Sequence, residues 1–312
     1  MKCKLPDLSI IIATYNRAEL LSKTLESIVN NCGCSSNLEI IVVDNCCTDN
    51  TQDIVKYYAQ KNNQIKLVYE RKQGLSYARN RGIDEAIGEI LVFLDDDVEI
   101  DKAWLDSIVK PFCNADVWCV GGRVLPFEKN SVPSWLPAKL RFLLSLHDYG
   151  SNEKIMSSKE KPMGCNMAFR KKVFEKAGRF DPHLGRRGAR LLGGEEVLLY
   201  YKIRDLHKKA IYSPNALVYH KVGSKLTKEY VLNYAYWLGV SESYIERTYQ
   251  KTRFILKMAR SLVYLLFYPG RMCLQMVTKL PESDDVLKRY MLRYSLGYLS
   301  YRRRDETSSA IS

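Results

Sequence analysis

The stretch 90-ILVFLDDDVEI-100 runs five apolar residues directly into three consecutive aspartates. A short apolar run that ends in polar residues is typical of a strand buried on both faces. Three adjacent carboxylates repel one another, so the end of this strand needs either free access to water or a cation. The whole chain carries a net charge of +13, which makes this acidic strand end an exception within it.

Four further β-branched runs alternate with helical patterns around this strand. The runs are 8-LSIIIA-13, 38-LEIIVV-43, 65-IKLVY-69 and 117-VWCVGG-122, and the helical patterns cover 17–30, 50–61, 75–87 and 102–112. Apolar strands that alternate with amphipathic helices are typical of a parallel sheet covered on both faces. The sequence therefore predicts an α/β fold with a doubly wound, mainly parallel sheet.

Polar side chains follow three of the predicted strands. The first strand ends in 14-TYNR-17, the second in 44-DN-45 and the fourth in 95-DDD-97. Ligands of doubly wound sheets bind beyond the carboxyl ends of the strands, so these residues predict a site at one edge. The sequence has neither G-x-G-x-x-G after the first strand nor G-x-x-x-x-G-K-[ST], which disfavours dinucleotide oxidoreductases and P-loop NTPases.

The three aspartates have three interpretations. They form a solvated turn in which Asp97 or Asp101 caps the next helix. Alternatively, Asp95 is the nucleophile of a haloacid-dehalogenase-like phosphatase, although Glu99 stands where that D-x-D-x-[TV] pattern has Thr or Val. In the third interpretation they hold Mg²⁺ or Mn²⁺, which take one or two protein carboxylates and complete their coordination with phosphate oxygens and water. A bound dication would also remove the repulsion.

Five segments, in order, resemble the successive motifs of the family 2 glycosyltransferases, which have the GT-A fold. They are 8-LSIIIATYNR-17, 40-IIVVDNCCTDNT-51, 74-GLSYARNRGIDEAIGEILVFLDDDVEI-100, 164-GCNMAFRKKVF-174 and 194-GEE-196. The resemblance covers about residues 8–225 and extends to bacterial enzymes of surface polysaccharide assembly. It implies a nucleotide-diphosphate sugar as donor, a divalent metal (Mn or Mg) and inversion at the anomeric carbon.

The resemblance also implies roles for single residues. It places the nucleotide sugar on Thr14, Tyr15, Arg17, Asp44, Asn45, Arg79, Asp95 and Asp96, the metal on Asp97 and His220, and the acceptor on Gly164 and Asn166. Two of these residues have structural alternatives. Arg79 would instead pair with Asp84 or Glu85 on its own helix, and His220 would be a buried structural histidine.

An inverting transfer is a single in-line displacement, so a base must accept the proton of the attacking hydroxyl opposite the leaving diphosphate. Glu196 falls on the position of the family's base, which is more often Asp, and Glu195 is the alternative. Both glutamates would also stabilise the first turn of their own helix, and this is compatible with either one serving as the base.

Two irregular segments predict binding loops. Residues 123–160 begin with a proline-rich stretch that contains Trp135, which we expect on the acceptor side. The segment 183-HLGRRGARLLGG-194 predicts a mobile loop that closes over the diphosphate. Its candidate contacts are Arg186, Arg187 and Arg190.

The nine cysteines are scattered, and no secretory signal precedes Leu8, so we expect a reducing cytoplasm. A zinc site formed by Cys32, Cys34, Cys46 and Cys47 is the alternative to ordinary thiols. The spacings of these cysteines match the usual C-x₂₋₄-C pattern poorly.

The end of the chain is strongly basic. Residues 251–312 hold twelve Lys or Arg and five Asp or Glu, a net +7. Helical periods in 253–277 and 287–304 combine basic, aromatic and aliphatic residues but fall short of a membrane-spanning length. We expect these helices on the inner face of the cell membrane. The alternative is packing on the catalytic domain or on a second subunit of a homo-oligomer.

The sequence thus predicts a GT-A domain over 1–225, with its acceptor-side half from about 123, and a basic amphipathic helical region over 226–312. The predicted activity is inverting transfer of a sugar to a glycan or lipid-linked acceptor in cell-surface polysaccharide synthesis. The rival is a noncatalytic nucleotide-sugar or glycan-binding module on the same fold. No nucleic-acid-binding module is recognised, so we expect no nucleic acid partner.

Overall fold

The structure is a computed structural model that describes residues 7–32, 37–129, 131–223, 226–277 and 282–301, with 268–277 as backbone only. Its strands are β1 Leu8–Thr14, β2 Leu38–Asp44, β3 Ile65–Tyr69, β4 Ile90–Asp95, β5 Val98–Ile100, β6 Val117–Pro126, β7 Lys154–Ile155, β8 Asn166–Arg170 and β9 Lys209–His220. Its α-helices are α1 Ala18–Cys32, α2 Thr51–Lys61, α3 Leu75–Glu85, α4 Trp104–Val109, α5 Lys172–Lys176, α6 Glu195–Asp205, α7 Lys228–Tyr249, α8 Lys251–Val277 and α9 Glu282–Ser300. Short 3₁₀ helices cover Lys110–Cys113 and Ala138–Leu144.

The strands form one mixed sheet in the order β3-β2-β1-β4-β8-β6-β9-β5, with β7 paired to β9. The first four strands are mutually parallel, and β8 joins β4 in the antiparallel direction. Successive residues of β1 enter different cores, Ile10 and Ile12 on one face and Ile11 on the other. A strand with both faces buried is the pattern that the apolar runs predicted, and the predicted α/β fold is confirmed.

The short strand β5 determines where the three aspartates lie. After β4 the chain turns through Asp96 and Asp97, and β5 then pairs with β9 in the antiparallel direction, with Val98 opposite His220. This pairing brings together two segments far apart in sequence. Asp97 therefore lies beside His220 at the end of the sheet.

The backbone of β6 approaches its neighbours closely at Gly122. A Cβ atom at this position would lie 2.1 Å from Asn166 Nδ2 and 2.2 Å from the Ala216 carbonyl oxygen. Asn166 donates to that carbonyl and to the Arg123 carbonyl, and its Oδ1 accepts from Trp104 Nε1. Because all these groups are engaged in the core, a glycine is required here.

The helix α7 packs on the part of the molecule that contains the sheet. Ile245 belongs to the core on one face of the sheet, and the Tyr244 hydroxyl donates to Asp181 at 2.6 Å. The next two helices are joined to α7 by buried and partly buried polar contacts. Lys257 of α8 pairs with Glu242 and Glu246, and the Tyr298 hydroxyl of α9 donates to Glu246 at 2.7 Å.

The helix α8 presents an apolar face to solvent. Ile255, Leu256, Leu266 and Phe267 are all at least 60% exposed. None of the helices within the described residues combines the length and the apolar character needed to cross a bilayer.

Candidate active site

The turn between β4 and β5 carries buried acids that already have cationic or hydroxyl partners. Asp96 accepts from the Thr14 hydroxyl at 2.7 Å and from Arg17 Nη1 at 3.1 Å, and the same nitrogen lies 2.9 Å from Asp97 Oδ2. Burial raises the pKa of Asp96 to about 6, and Arg17 opposes this shift. The repulsion expected from the sequence is therefore reduced first by Arg17. This also gives Asp96 a task, which is to hold Thr14 and Arg17 in place.

Asp97 and His220 form a buried pair. His220 Nδ1 lies 2.9 Å from the Leu144 carbonyl oxygen, which can only accept, so Nδ1 carries a proton and Nε2 faces Asp97 Oδ1 at 3.1 Å. Ligands about 2.1 Å from a metal and at right angles to each other lie about 3 Å apart, so this spacing and this donor set fit a divalent ion. Neither residue lines either of the two cavities described below, whereas Arg17, which contacts Asp97, lines one of them.

Arg79 is buried and joins three parts of the site. Its guanidinium donates to Glu195 at 2.5 Å, to Asp95 at 3.2 Å and to the Gly164 carbonyl at 2.8 Å. Arg79 thus contacts the site, and these contacts replace the alternative in which it pairs with Asp84 or Glu85 on its own helix. A Cβ atom on Gly164 would lie 3.0 Å from Arg79 Nη2, so the small residue permits this approach.

The two glutamates at the start of α6 have different surroundings. Glu195 is buried and bound to Arg79, whereas Glu196 is half-buried and faces open space. Burial, and next the charge of Glu195, raise the pKa of Glu196 to about 8, against the opposing effects of Arg79 and Lys161. A carboxyl in this range is suited to act as a general base near neutral pH.

A cavity of about 380 Å³ lies at the carboxyl ends of the parallel strands. Its walls include the following residues for which the sequence predicted a role: Thr14, Tyr15, Arg17, Asn45, Arg79, Asp95, Asp96, Gly164, Arg186, Glu195 and Glu196. We call this space the donor cavity. Residues from all five motifs meet in it, and three of these motifs contribute acids or arginines, as the convergence of strand ends predicted.

Arg186 is held at the wall of the donor cavity by two tyrosines of α7. Its Nη2 donates to the Tyr230 hydroxyl at 2.8 Å, and its guanidinium lies 5.3 Å from the ring centre of Tyr234. Within the described chain no carboxylate pairs with Arg186. This leaves its charge available for an anionic ligand.

A second cavity, of about 1200 Å³, adjoins the donor cavity. We call it the large cavity. Residues that line both are Met163, Gly193, Gly194, Glu196 and Tyr234. Glu196 is the only carboxylate in this shared set, and Glu195 lines the donor cavity alone.

Several predicted site residues lie outside these cavities. Asp44 is buried and accepts from the Cys47 amide and from Gln52 Nε2. Asn166 is fully engaged in the core, as described above. Trp135 packs against a hydrophobic cluster apart from the two cores of the sheet, formed mainly by α7, α9 and residues 136–146. Arg187 and Arg190 are exposed and bond to each other through their backbones.

The cysteines considered for zinc are only partly described. Cys34 lies outside the described residues, and Cys32, Cys46 and Cys47 are free thiols. The sulfurs of Cys46 and Cys47 donate to the carbonyls of Arg71 and Thr14. They stabilise the turn after β2 through backbone contacts.

Sequence reasoning missed Tyr230 and Tyr234. They lie one helical turn apart on α7, beyond the residues covered by the motifs, so only their four-residue spacing was available as a signal. Nothing in the spacing indicated that this face would meet the loop containing Arg186.

The fold and the site together define a glycosyltransferase of the GT-A type. The model of the family "Glycosyl transferase family 2" matches residues 9–178. The chain belongs to this family, as the motifs predicted, and it is an enzyme.

Named relatives come from archaea and bacteria. The glucosyl-dolichyl phosphate glucuronosyltransferase of Haloferax volcanii is 24% identical over 246 residues, covering 77% of this chain and 78% of that protein. The GalNAc(5)-diNAcBac-PP-undecaprenol beta-1,3-glucosyltransferase of Campylobacter jejuni is 37% identical over 108 residues, 34% of each chain. The mannosyltransferase PcManGT from Pyrobaculum calidifontis, solved with GDP-Man and Mn²⁺, superposes with a TM-score of 0.64 at 19% identity, over 95% of this chain and 88% of that one. This last likeness concerns the fold.

We predict that Arg79→Met lowers the free energy of unfolding by about 3 to 5 kcal/mol, because two acids lose their buried counter-charge. Arg81→Met, on the same helix, removes an exposed pair with Glu85 and should cost about 0 to 1 kcal/mol. Urea denaturation at pH 7 measures both. Equal losses for the two variants would contradict the role assigned to Arg79.

Proposed function

We propose that this glycosyltransferase inverts the anomeric centre of a nucleotide-diphosphate sugar and transfers the sugar to a hydroxyl of a glycan or lipid-linked acceptor. The observation that carries the proposal is the position of Glu196 between the two cavities. A hydroxyl entering from the large cavity meets this carboxyl before it reaches a sugar in the donor cavity. That arrangement suits a single displacement with the base opposite the leaving group.

In this mechanism Glu196 accepts the proton of the attacking hydroxyl. Glu195 is less suited to this role because its carboxylate is bound by Arg79. The ion pair has a second use, since Arg79 also fixes Asp95 and the Gly164 carbonyl at the wall where the sugar would lie. Arg186 is placed to bind the diphosphate, because its charge has no carboxylate partner in the described chain.

Asp97 and His220 would hold a divalent ion, and Arg17 would have to leave Asp97 for the ion to reach the donor. Such an ion would supply positive charge to the leaving diphosphate. Within the described ranges no three His, Cys, Asp or Glu side chains come together as a metal site. Two protein ligands are enough where phosphate oxygens and water complete the coordination. The presence of Mn²⁺ in the PcManGT complex supports this part of the proposal.

The acceptor that we propose is linked to a lipid through phosphate, and the pathway is the assembly of a cell-surface glycan on the inner face of the membrane. Two relatives are named for acceptors on dolichyl phosphate or on undecaprenol diphosphate. The size of the large cavity and its opening beside Glu196 are consistent with a bulky acceptor of this kind.

We expect Glu196→Gln to lose a factor of about 10² to 10⁴ in the rate of transfer while it still binds the donor. The amide keeps the shape of the side chain and removes only its basicity. Turnover of a radiolabelled nucleotide sugar measures the rate of transfer. A thermal-shift titration with the same donor measures binding. If Glu196→Gln transfers the sugar at the wild-type rate, Glu196 is not the base. The base would then be Glu195, or the mechanism would have no glutamate base.

The pH dependence has a definite sign. The base must be deprotonated, and its pKa is raised to about 8, so the wild-type rate should rise with pH and level off above about 8. The residual rate of Glu196→Gln should lack this rise. A wild-type rate that falls between pH 7 and pH 8 would contradict the assignment.

Asp97→Asn should abolish the Mn²⁺-dependent part of nucleoside diphosphate binding, because a neutral amide is a weak ligand for a hard cation. Titration calorimetry with UDP and with GDP, each with and without Mn²⁺, measures this part. Asp106→Asn, an exposed carboxyl in the first turn of α4, is the matched control and should bind as the wild type does. Metal-dependent binding that survives in Asp97→Asn would refute the metal role of Asp97.

The exposed apolar face of α8 is a candidate for contact with a bilayer surface. Ile255, Leu256, Leu266 and Phe267 lie on it, and the exposed Arg253 and Arg260 lie on the same helix. Apolar side chains flanked by arginines suit the boundary between acyl chains and anionic headgroups. The position would also bring a lipid-linked acceptor close to the large cavity, because Arg253 and Lys257 of α8 line it.

We predict that Leu256→Asp/Leu266→Asp removes the protein from liposomes containing anionic lipid. Each substitution places a charge in the apolar face. The control is Ile87→Asp/Tyr57→Asp, which changes two exposed apolar residues of the catalytic half in the same way. Flotation of both variants and of the wild type measures binding. Equal flotation of the α8 variant and the wild type would exclude this face as the contact.

A further inference from the structure

The large cavity has an excess of positive charge at its walls. The lining cations are Lys129, Lys139, Arg141, Lys159, Lys161, Arg253 and Lys257, and the lining acids are Asp148, Glu196, Glu242 and Glu246. These residues come from the segment after β6, the 3₁₀ helix Ala138–Leu144, the loops before and after β7, and the helices α6, α7 and α8. The charges therefore converge from elements that are distant in sequence.

Most of the lining acids are already neutralised by neighbours. Asp148 pairs with Arg123 at 2.5 Å. Glu246 lies 3.0 Å from Lys257, which also contacts Glu242. The remaining acid is Glu196, the proposed base.

Five of the lining cations have no ion pair within the described part of the chain, namely Lys129, Lys139, Arg141, Lys159 and Lys161. The acid between the last two in sequence, Glu160, is engaged by Lys154 at 2.6 Å. Lysines gathered around one cavity repel one another unless an anion enters. The unpaired charge thus favours an anionic ligand.

The same cavity also offers apolar contacts. Phe127 and Phe142 line it and remain 46% and 38% exposed. Arg253 and Lys257, which also line the cavity, lie on α8, the helix with the exposed apolar face. A ligand with a phosphate and a hydrocarbon chain would use both kinds of surface and could continue onto that helix.

We infer that the large cavity binds the phosphate of a polyprenyl-type phosphate, with Lys159 and Lys161 as the principal phosphate contacts and Phe127 and Phe142 against the hydrocarbon. The inference rests on the proposed function, because it takes this cavity as the acceptor side. It specifies the group that this chain recognises on the acceptor. Lys139 and Arg141, which also line the cavity, add charge that attracts the same group.

Titration calorimetry of the full chain with farnesyl phosphate tests the inference, with farnesol and inorganic phosphate as the other two ligands. Wild-type protein should bind farnesyl phosphate more tightly than either. Lys159→Ala/Lys161→Ala should weaken its binding by about 10- to 100-fold, since each contact is a charge-assisted hydrogen bond. Lys159→Arg/Lys161→Arg keeps the charge and should retain most of the affinity.

Two controls separate this site from the rest of the surface. Lys23→Ala/Lys56→Ala removes the same charge from exposed positions on α1 and α2 and should change the affinity less than twofold. Arg186→Ala removes a cation of the donor cavity and should also leave farnesyl phosphate binding unchanged. Thermal unfolding of each variant verifies that the fold is intact.

The inference is overturned if Lys159→Ala/Lys161→Ala binds farnesyl phosphate as the wild type does. It is also overturned if Arg186→Ala loses the binding, which would place the ligand in the donor cavity. If farnesol binds as tightly as farnesyl phosphate, the cavity does not recognise the phosphate. If inorganic phosphate binds as tightly, the cavity does not recognise the hydrocarbon. Either result contradicts the inference. The base is tested by the transfer rate of Glu196→Gln and this site by the farnesyl phosphate affinity of Lys159→Ala/Lys161→Ala, so a failure of the proposed base and a failure of this site give different results.

Discussion

The buried guanidinium of Arg79 is the contact on which the arrangement of the site depends. It joins Asp95 at the end of β4, Glu195 at the start of α6 and the carbonyl of Gly164 before β8. These three groups come from segments that are far apart in the chain. A charge this deeply buried requires full compensation, and the two carboxylates provide it only when all three segments are in place. The donor cavity therefore has its geometry only when the sheet is correctly folded and Arg79 contacts all three segments.

The acidic turn between β4 and β5 is also stabilised by an arginine, Arg17, but this arginine is less buried than Arg79. Arg17 contacts Asp96 and Asp97 with one nitrogen, and the Thr14 hydroxyl donates to the other oxygen of Asp96. Arg17 thus offsets part of the repulsion between the carboxylates. Because the side chain of Arg17 is about one third exposed, it can exchange its contact with Asp97 for water more readily than Arg79 can leave its partners.

The sequence predicted the α/β fold and the family, because alternating apolar strands and ordered motifs are local signals. It also predicted which strand ends meet, since parallel strands deliver their carboxyl ends to one edge. It could not predict the pairing of β5 with β9, or the packing of α7 that brings Tyr230 and Tyr234 to Arg186. Those contacts depend on tertiary packing and leave no fixed spacing in the chain. Asn166 shows that a motif alone does not identify a ligand contact. The motif suggested that Asn166 binds the acceptor, but its side chain makes its hydrogen bonds within the core.

The shared position of Glu196 has a consequence for the design of inhibitors. A compound that fills only the donor cavity competes with a nucleotide sugar, and such sites resemble one another across enzymes that use the same nucleotide. A compound that bridges both cavities would pass Glu196 at the point where they meet, and a hydrogen-bonding group placed there would contact its carboxyl group. Its other end would reach a basic wall formed by loops whose sequence is free to differ between relatives. The selectivity of an inhibitor for this chain would therefore come from its contacts with the large cavity.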